Sequence, residues 1–289
     1  MKSDPPPAHP FPLPRAGEGV RRAIADATAR LKAVSGTPRL DAELLMAHAL
    51  EVSREDLLLR RLDDPAPAAF ETLLDRRLAH EPVAYITGRR AFWTIELEVG
   101  PGVLIPRPDS ETLIEAAVEH FGKSGPASVL DLGTGPGTLL LAALDQWPAA
   151  QGIGVDGSQR ALALAQRNAE RLGLAARTEF RRSDWGEGLD QRFELILCNP
   201  PYVEEAADLP RDVFEWEPHE ALFAGSEGLD DYRRIAPQVR RLLGPGGIAC
   251  IELGAGQEGT VRPLFEAEGF VVRTRNDLAG RARCLILSA

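Results

Sequence analysis

Phe193-Glu194-Leu195-Ile196-Leu197-Cys198-Asn199-Pro200-Pro201-Tyr202 is the stretch from which the architecture can be worked out. The apolar run over 193–198 predicts a buried strand, which the two prolines end because proline cannot donate to a sheet ladder. Residues just past the carboxyl end of a parallel strand line the ligand crevice of an open α/β sheet. Asn199 offers an acceptor and a donor, and Tyr202 offers a flat ring for stacking. Pro200 and Pro201 fix the backbone between them. These four residues predict a rigid clamp for a planar NH2 group; an ordinary proline turn is the alternative.

A glycine-rich turn follows another apolar run, over 129–132, and precedes a predicted helix. Its sequence is Gly133-Thr134-Gly135-Pro136-Gly137. A turn of this kind between strand and helix lets a ligand approach the backbone closely. A dinucleotide fingerprint would require its third glycine where Thr138 stands. The spacing therefore argues against a nicotinamide cofactor, although such turns also serve packing alone.

Polar and aromatic residues end the next two predicted strands. Asp156 is well placed to accept both hydroxyls of a ribose, and equally well placed to form a turn before Gly157 and cap the next helix. Asp184 and Trp185 follow the third strand, where the ring can stack on an adenine and the carboxylate can accept from its amine. The glycine turn, Asp156 and Asp184-Trp185 lie in this order at the carboxyl ends of successive predicted strands. Together they predict a nucleoside site beside the clamp.

Strands and helices alternate from Ser128 onward, which predicts an α/β fold with a mostly parallel, Rossmann-like sheet. The strands are predicted at 128–132, 152–156, 177–181, 193–198, 247–252, 270–274 and 283–288. The helices are predicted at 138–146, 158–172, 229–243 and 257–268.

The first third of the chain differs in pattern. Residues 1–17 are rich in proline and predict a disordered tail, whereas 18–90 predict four or five short helices. Thr37 and Ser53 are expected to cap two of these helices, and Pro67 to begin another. A linker over 91–110 is expected to contain a β-hairpin, with 92–99 pairing with 103–105 around Gly100-Pro101-Gly102. Asp109 or Ser110 is expected to cap a helix over 111–121.

Composition excludes several classes of function. The formal net charge is −10, with most of the acidic excess after residue 100, so attraction to a polyanion is not indicated. The arginine pairs at 60–61, 76–77 and 89–90 are interpreted as solvated faces rather than as a binding patch. Cys198, Cys250 and Cys284 lie in apolar runs, which favours buried free thiols over a disulfide framework or a metal site. No signal peptide or membrane span is predicted, so a cytoplasmic location follows by elimination.

The chain resembles methyltransferases that use an Asn/Asp-Pro-Pro-Tyr/Phe motif to methylate amide or exocyclic amine nitrogens with S-adenosylmethionine. More closely, it resembles the protein-(glutamine-N5) methyltransferases that modify peptide chain release factors. The resemblance runs from about Leu40 to the carboxyl terminus. Besides the clamp, its motifs lie at 81–88, 104–111, 217–222, 228–230, 252–254 and Gln257.

The resemblance implies a seven-stranded methyltransferase domain over 111–289 and a helical substrate-binding domain over 18–90. The implied cofactor contacts are Gly133, Thr134, Gly135, Pro136, Gly137, Asp156, Trp185 and Asn199. The clamp over 199–202 would hold a glutamine of the Gly-Gly-Gln motif of a release factor, with Asn199, Pro200 and Tyr202 as catalytic residues. No metal, DNA or membrane is implied. An adenine methyltransferase, a ribosomal-protein glutamine methyltransferase and a binding module without activity are the alternatives.

Overall fold

Helices make up the first of two compact units, which ends at Thr87. The computed structural model describes residues 19–288. The helices are α1 (Val20–Leu31), α2 (Pro38–Ala49), α3 (Arg54–Arg60), α4 (Ala69–Leu78) and α5 (Val83–Thr87). Apolar residues at helical spacing form the core of this helical unit, with Leu31, Leu45 and Leu74 fully buried. The prediction of a disordered tail falls on residues 1–17, which lie outside the described part of the chain.

Helix caps in this unit agree only partly with the sequence. Ser53 caps α3 as predicted, because its hydroxyl accepts a hydrogen bond from the amide of Asp56 at 3.0 Å. Thr37 stands at the N-cap of α2, but its hydroxyl donates to the Asp41 carboxylate instead. Pro67 does not begin α4, which starts two residues later at Ala69.

The expectation of solvated arginine faces is wrong for Arg77. This residue is 4% exposed, and its guanidinium donates to the Asp41 carboxylate at 2.8 Å. The adjacent Arg76 donates to Glu81 through two nitrogens. Sequence charge alone could not show this, because the acidic partner of Arg77 lies 36 positions earlier in the chain.

The second unit begins at Gly88 with a β-hairpin. Its strands are β1 (Arg89–Phe92) and β2 (Ile95–Glu98), joined by a tight turn in which Trp93 has a φ of 53°. The predicted pairing of 92–99 with 103–105 is therefore wrong. The 103–105 run forms no strand, since the Ile105 amide donates to the buried Glu217 carboxylate at 2.9 Å.

A seven-stranded sheet forms the body of the second unit. Its strands are β3 (Ser128–Leu132), β4 (Gln151–Asp156), β5 (Thr178–Arg182), β6 (Phe193–Cys198), β7 (Leu243–Glu252), β8 (Val271–Asn276) and β9 (Ala282–Ser288). The order is β5-β4-β3-β6-β7-β9-β8, and β9 runs antiparallel to both of its neighbours. The predicted mostly parallel sheet is confirmed, with strand ends within a few residues of those expected.

Five helices pack against this sheet. They are α6 (Glu111–Phe121), α7 (Thr138–Gln146), α8 (Gln159–Arg171), α10 (Asp230–Leu242) and α11 (Glu258–Ala267). The short helix α9 (Arg211–Phe214) lies in the connection between β6 and α10. The expected side-chain cap of α6 is absent, because Ser110 donates its hydroxyl to Glu252 rather than capping the helix. Chain order reverses at β3, which lies between β4 and β6, so the loops after these strands meet at a topological switch point.

Candidate active site

The glycine turn after β3 is held by the neighbouring strand. The amides of Gly133 and Thr134 both donate to the Val155 carbonyl at 2.9 Å. Gly133 has a φ of +72°, and a Cβ built on it would lie 3.1 Å from the Trp185 ring. Gly137 has a φ of +89° and precedes α7. Any side chain at Gly133 would therefore strain the turn and displace Trp185.

Asp156, at the end of β4, fixes the same turn. One carboxylate oxygen accepts from the Gly135 amide at 2.9 Å and the other from the Ser158 amide at 2.8 Å. Ser158, not Asp156, caps α8 through its hydroxyl. Burial raises the pKa of Asp156, and the two backbone hydrogen bonds act against that shift. The turn-forming role left open by the sequence is thus observed, while the ribose role stays a prediction.

Trp185 and Asp184 lie beside this turn. The indole N–H of Trp185 donates to Asp231 at 3.3 Å. The backbone of Trp185 has a φ of 53°, which is unusual for a non-glycine residue. Asp184 receives the guanidinium of Arg234 on both oxygens at 2.5 Å. Its predicted contact with an adenine amine would therefore compete with an arginine.

A cavity of about 700 Å³ opens at the carboxyl ends of these strands. Six of the predicted site residues line it: Gly133, Gly135, Asp156, Trp185, Asn199 and Pro201. Thr134 and Pro136 line a smaller cavity of about 40 Å³ that shares Gly133, Gly135 and Asn199 with the first. Gly137, Pro200 and Tyr202 line neither cavity. The larger volume lies within the range that small-molecule sites occupy.

The clamp after β6 is anchored from behind. The Asn199 side-chain amide donates to the Ser110 hydroxyl at 3.2 Å, and the Tyr202 hydroxyl donates to Glu252 at 3.2 Å. Gln257 donates to the Tyr202 carbonyl at 3.0 Å. The remaining oxygen of the Asn199 side chain accepts no hydrogen bond from residues 19–288. An unused acceptor is therefore left at the cavity wall.

Asp131, inside the apolar run over 129–132, is a candidate functional residue that the sequence pattern did not single out. Its carboxylate is 1% exposed and accepts from the Thr134 hydroxyl at 2.7 Å and the Leu140 amide at 3.1 Å. Both bonds use the same oxygen, and the other oxygen has no partner in the described part of the chain. Burial raises the pKa of Asp131 to about 7. An acidic residue inside an apolar strand was the available signal.

Glu252, at the end of β7, is the second such residue. It is fully buried and accepts from the hydroxyls of Ser110 and Tyr202. Burial raises its pKa to about 7, against the lowering effects of Ser110, Arg283 and Tyr202. From the sequence, Glu252 was only part of a motif, and Ser110 was part of a motif and a candidate helix cap. Their contact could not be predicted because it is not local in the chain.

Other expectations concern thiols, metals and membranes. Cys198, Cys250 and Cys284 are free and buried, as predicted. Among residues 19–288, no group of three or more His, Cys, Asp or Glu side chains is arranged to hold a metal ion. No helix in the same range is both long and apolar enough to span a bilayer.

The sheet order, the glycine turn at its switch point and the adjacent cavity define an S-adenosylmethionine-dependent methyltransferase of class I. Two sequence families match: the PrmC N-terminal domain over residues 22–88 and a methyltransferase domain over residues 123–268. The fold is similar to that of a methyltransferase from Pyrococcus furiosus, with a TM-score of 0.52 and 17% identity over 75% of this chain and 98% of that one.

Two curated relatives are much more similar in sequence. The release factor glutamine methyltransferase of Cereibacter sphaeroides is 46% identical over 251 residues, covering 84% of this chain and 88% of the relative. That of Rhodospirillum rubrum is 42% identical over 255 residues, covering 86% and 78%. The chain belongs to the family of release factor glutamine methyltransferases.

Proposed function

We propose that this protein transfers a methyl group from S-adenosylmethionine to the side-chain amide nitrogen of a glutamine in peptide chain release factors. The observation that carries the proposal is the free oxygen of Asn199 at the cavity wall, with the opposite end of the same side chain anchored on Ser110. An acceptor fixed in this way suits an NH2 group, and the relatives named above are release factor glutamine methyltransferases.

The cavity fits the cofactor class. An S-adenosylmethionine held there would supply an electrophilic methyl group on a positively charged sulfur. Trp185 offers a ring for the adenine, and Asp156 offers carboxylate oxygens for the ribose hydroxyls. The unpartnered buried oxygen of Asp131 adds an acceptor beside Gly133 and Thr134 for a cationic group.

The chain's own residues would act mainly by orientation. An amide nitrogen is a poor nucleophile because its lone pair is delocalised into the carbonyl. Asn199 and the Pro200 carbonyl would each accept one N–H of the target amide, and Tyr202 would stack on its plane. These contacts favour positive charge as it develops on nitrogen and align the attack. As the N–C bond forms and the C–S bond breaks, one amide proton must leave to solvent.

A methyl-transfer assay tests this function directly. Labelled S-adenosylmethionine is supplied with a release factor, a ribosomal protein, duplex DNA or no substrate. We expect label only on the release factor, at one glutamine. Label on DNA would favour the adenine methyltransferase, which the net charge of −10 already argues against. Label on the ribosomal protein alone would reassign the substrate.

The helical unit is proposed to bind the protein substrate, as the matched PrmC N-terminal domain suggests. Removing residues 1–87 leaves β1 and the whole sheet in place, since the second unit, called the catalytic unit from this point, has its own core. We expect the shortened protein to bind S-adenosylmethionine with little change and to lose methylation of the release factor. Full-rate methylation by a folded shortened protein would contradict the substrate-binding role.

A further inference from the structure

Glu252 connects the two ends of the clamp. One of its oxygens accepts from the Ser110 hydroxyl at 2.5 Å, and the other accepts from the Tyr202 hydroxyl at 3.2 Å. Ser110 in turn accepts from the Asn199 amide at 3.2 Å. Both Glu252 and Ser110 are buried, at 0% and 2% exposure, so solvent does not supply alternative partners. The four residues form one continuous chain of hydrogen bonds.

The direction of that chain follows from its donors. At a pH above its raised pKa of about 7, the Glu252 carboxylate is ionised and only accepts hydrogen bonds, so the single hydroxyl proton of Ser110 is directed to Glu252. The Ser110 oxygen can then only accept from its other neighbour. Asn199 must therefore turn its NH2 group toward Ser110, which leaves its carbonyl oxygen for a substrate N–H. The oxygen and the nitrogen of an asparagine side chain are hard to tell apart by shape alone. Here the buried Glu252 carboxylate fixes the assignment through the hydrogen bonds of Ser110.

We infer that Glu252 and Ser110 are positioning residues for the methyl transfer: through a one-way hydrogen-bond chain they fix the Asn199 amide with its oxygen facing the substrate. The inference rests on the proposed function and adds two buried residues that act through Asn199 and Tyr202. The hydroxyl of Tyr202 donates to the second oxygen of the same carboxylate. The side chains of Asn199 and Tyr202 therefore both depend on Glu252 for their orientation.

Neighbouring contacts act on the segments around Ser110 and Glu252, not on the Glu252 carboxylate itself. Arg283 forms an ion pair with Asp109 at 3.0 Å and donates to the Leu253 carbonyl at 2.9 Å, which ties the segment before α6 to the end of β7. The Tyr232 hydroxyl donates to the backbone carbonyl of Glu252 at 2.9 Å. These contacts act on the backbone or on neighbouring residues, whereas only Ser110 and Tyr202 donate to the carboxylate among the described residues.

A double-mutant cycle tests the direction of the chain. In N199D a second carboxylate competes with Glu252 for the one hydroxyl proton of Ser110, so turnover should fall. In N199D/E252Q the new amide can donate to Ser110, which can then donate to the new aspartate and leave its other oxygen for the substrate. We expect the double variant to be about 10-fold faster in single turnover than N199D. Rates are compared at pH 8.5 and saturating cofactor, because burial raises the pKa of Glu252 to about 7.

Matched variants separate positioning from folding. S110A should lower turnover about 10-fold with an unchanged dissociation constant for the cofactor, and S110T, which keeps the hydroxyl, should recover most of it. Y232F removes a hydroxyl that contacts the same Glu252 through its backbone. It should lower thermal stability and leave turnover unchanged. Wild-type turnover in S110A would overturn the inference.

A spectroscopic measurement makes the test independent of activity. The side-chain NH2 signals of Asn199, assigned by their loss in N199A, should shift in S110A and E252Q and stay in place in Y232F. The positioning role is excluded if the rate effects of N199D and E252Q simply multiply in the double variant and the Asn199 signals do not move. If the wild-type protein fails to methylate a release factor while the signals move as expected, the substrate assignment fails and the positioning role stands.

Discussion

Buried carboxylates are treated differently in the two units. In the helical unit, Asp41 contacts Arg77 at 2.8 Å, and Glu43 contacts both Arg39 and Arg54 at 2.7 Å. Beside the glycine turn and the clamp of the catalytic unit, Asp131 and Glu252 instead accept hydrogen bonds from hydroxyl and amide groups. Burial raises the pKa of each of these two acids to about 7.

This difference distinguishes buried acids that stabilise the fold from buried acids that position functional groups. A buried carboxylate with an arginine partner is neutralised within the unit and has little capacity left for a ligand. A buried carboxylate that accepts only from neutral donors has no cation in contact, so its pKa rises and its ionised form costs stability, which is typical of functional positions. The catalytic unit also contains the first kind, since Glu217 pairs with Arg107 at 2.5 Å. Within residues 19–288, the buried carboxylates that accept only from neutral donors, Asp131 and Glu252, lie next to the cavity and the clamp.

The largest effect is expected from breaking an arginine pair in the helical unit. Arg77→Ala leaves the buried Asp41 carboxylate unpaired, which should destabilise that unit by about 3–5 kcal/mol. Arg60→Ala is the matched control, because the Arg60–Asp56 pair lies on an exposed helix face and should contribute less than about 1 kcal/mol. Denaturant unfolding of the two variants measures both values. Equal stabilities for the two variants would show that burial of the Arg77 pair does not matter.

Strand and helix positions were accessible from the sequence because their signals are local. The run over 193–198 was predicted with the observed ends, because its mostly apolar residues form a strand that cannot extend past Asn199 into the two prolines. The hairpin was misplaced for the opposite reason. Gly100-Pro101-Gly102 does form a turn, but whether a strand follows depends on Glu217, which lies more than 100 positions away.

The site could be predicted only at positions where the residue type and its place after a strand indicate a chemical role. Asn199, Asp156 and the glycine turn follow strand ends and do meet at one cavity. The carboxylate that orients the clamp was not identified, because its importance arises from a contact between Ser110 and Glu252 across 142 positions. Hydroxyl-to-carboxylate contacts of this kind leave no periodic or spaced pattern in a single sequence.

The next effect concerns turnover in the catalytic unit. Asn199→Ala removes the acceptor aimed at the substrate NH2, so the rate of methyl transfer should fall by about 100- to 1,000-fold, with little change in stability. Asn199→Asp keeps an acceptor and should retain more turnover than the alanine variant. Single-turnover methylation of a release factor at saturating cofactor measures both rates. Wild-type rates in Asn199→Ala would remove this residue from the mechanism.

A smaller effect is expected on cofactor affinity. Asp156→Ala removes a carboxylate proposed to bind the ribose and also frees the Gly135 amide of the glycine turn. Each hydrogen bond to a charged group contributes about 1.5–3 kcal/mol, so the dissociation constant should rise by about 10- to 100-fold. Calorimetric titration with S-adenosylmethionine measures it. Asp184→Asn is the control, because its carboxylate pairs with Arg234 and should matter less. An unchanged constant for Asp156→Ala would refute the ribose assignment.

The smallest effect is a dependence of stability on pH that belongs to the catalytic unit. The pKa of Asp131 rises from 3.8 to about 7 on folding, so between these values the folded protein binds more protons than the unfolded chain. Stability contributed by this group therefore falls as the pH rises, by about 1.4 kcal/mol between pH 6 and pH 8. Asp131→Asn should flatten the measured slope by that amount, whereas Asp190→Asn, at an exposed position, should leave it unchanged. If the Asp131 variant keeps the wild-type slope, its carboxyl is already ionised in the folded protein at pH 6, and the contrast with the arginine-paired acids of the helical unit does not extend to Asp131.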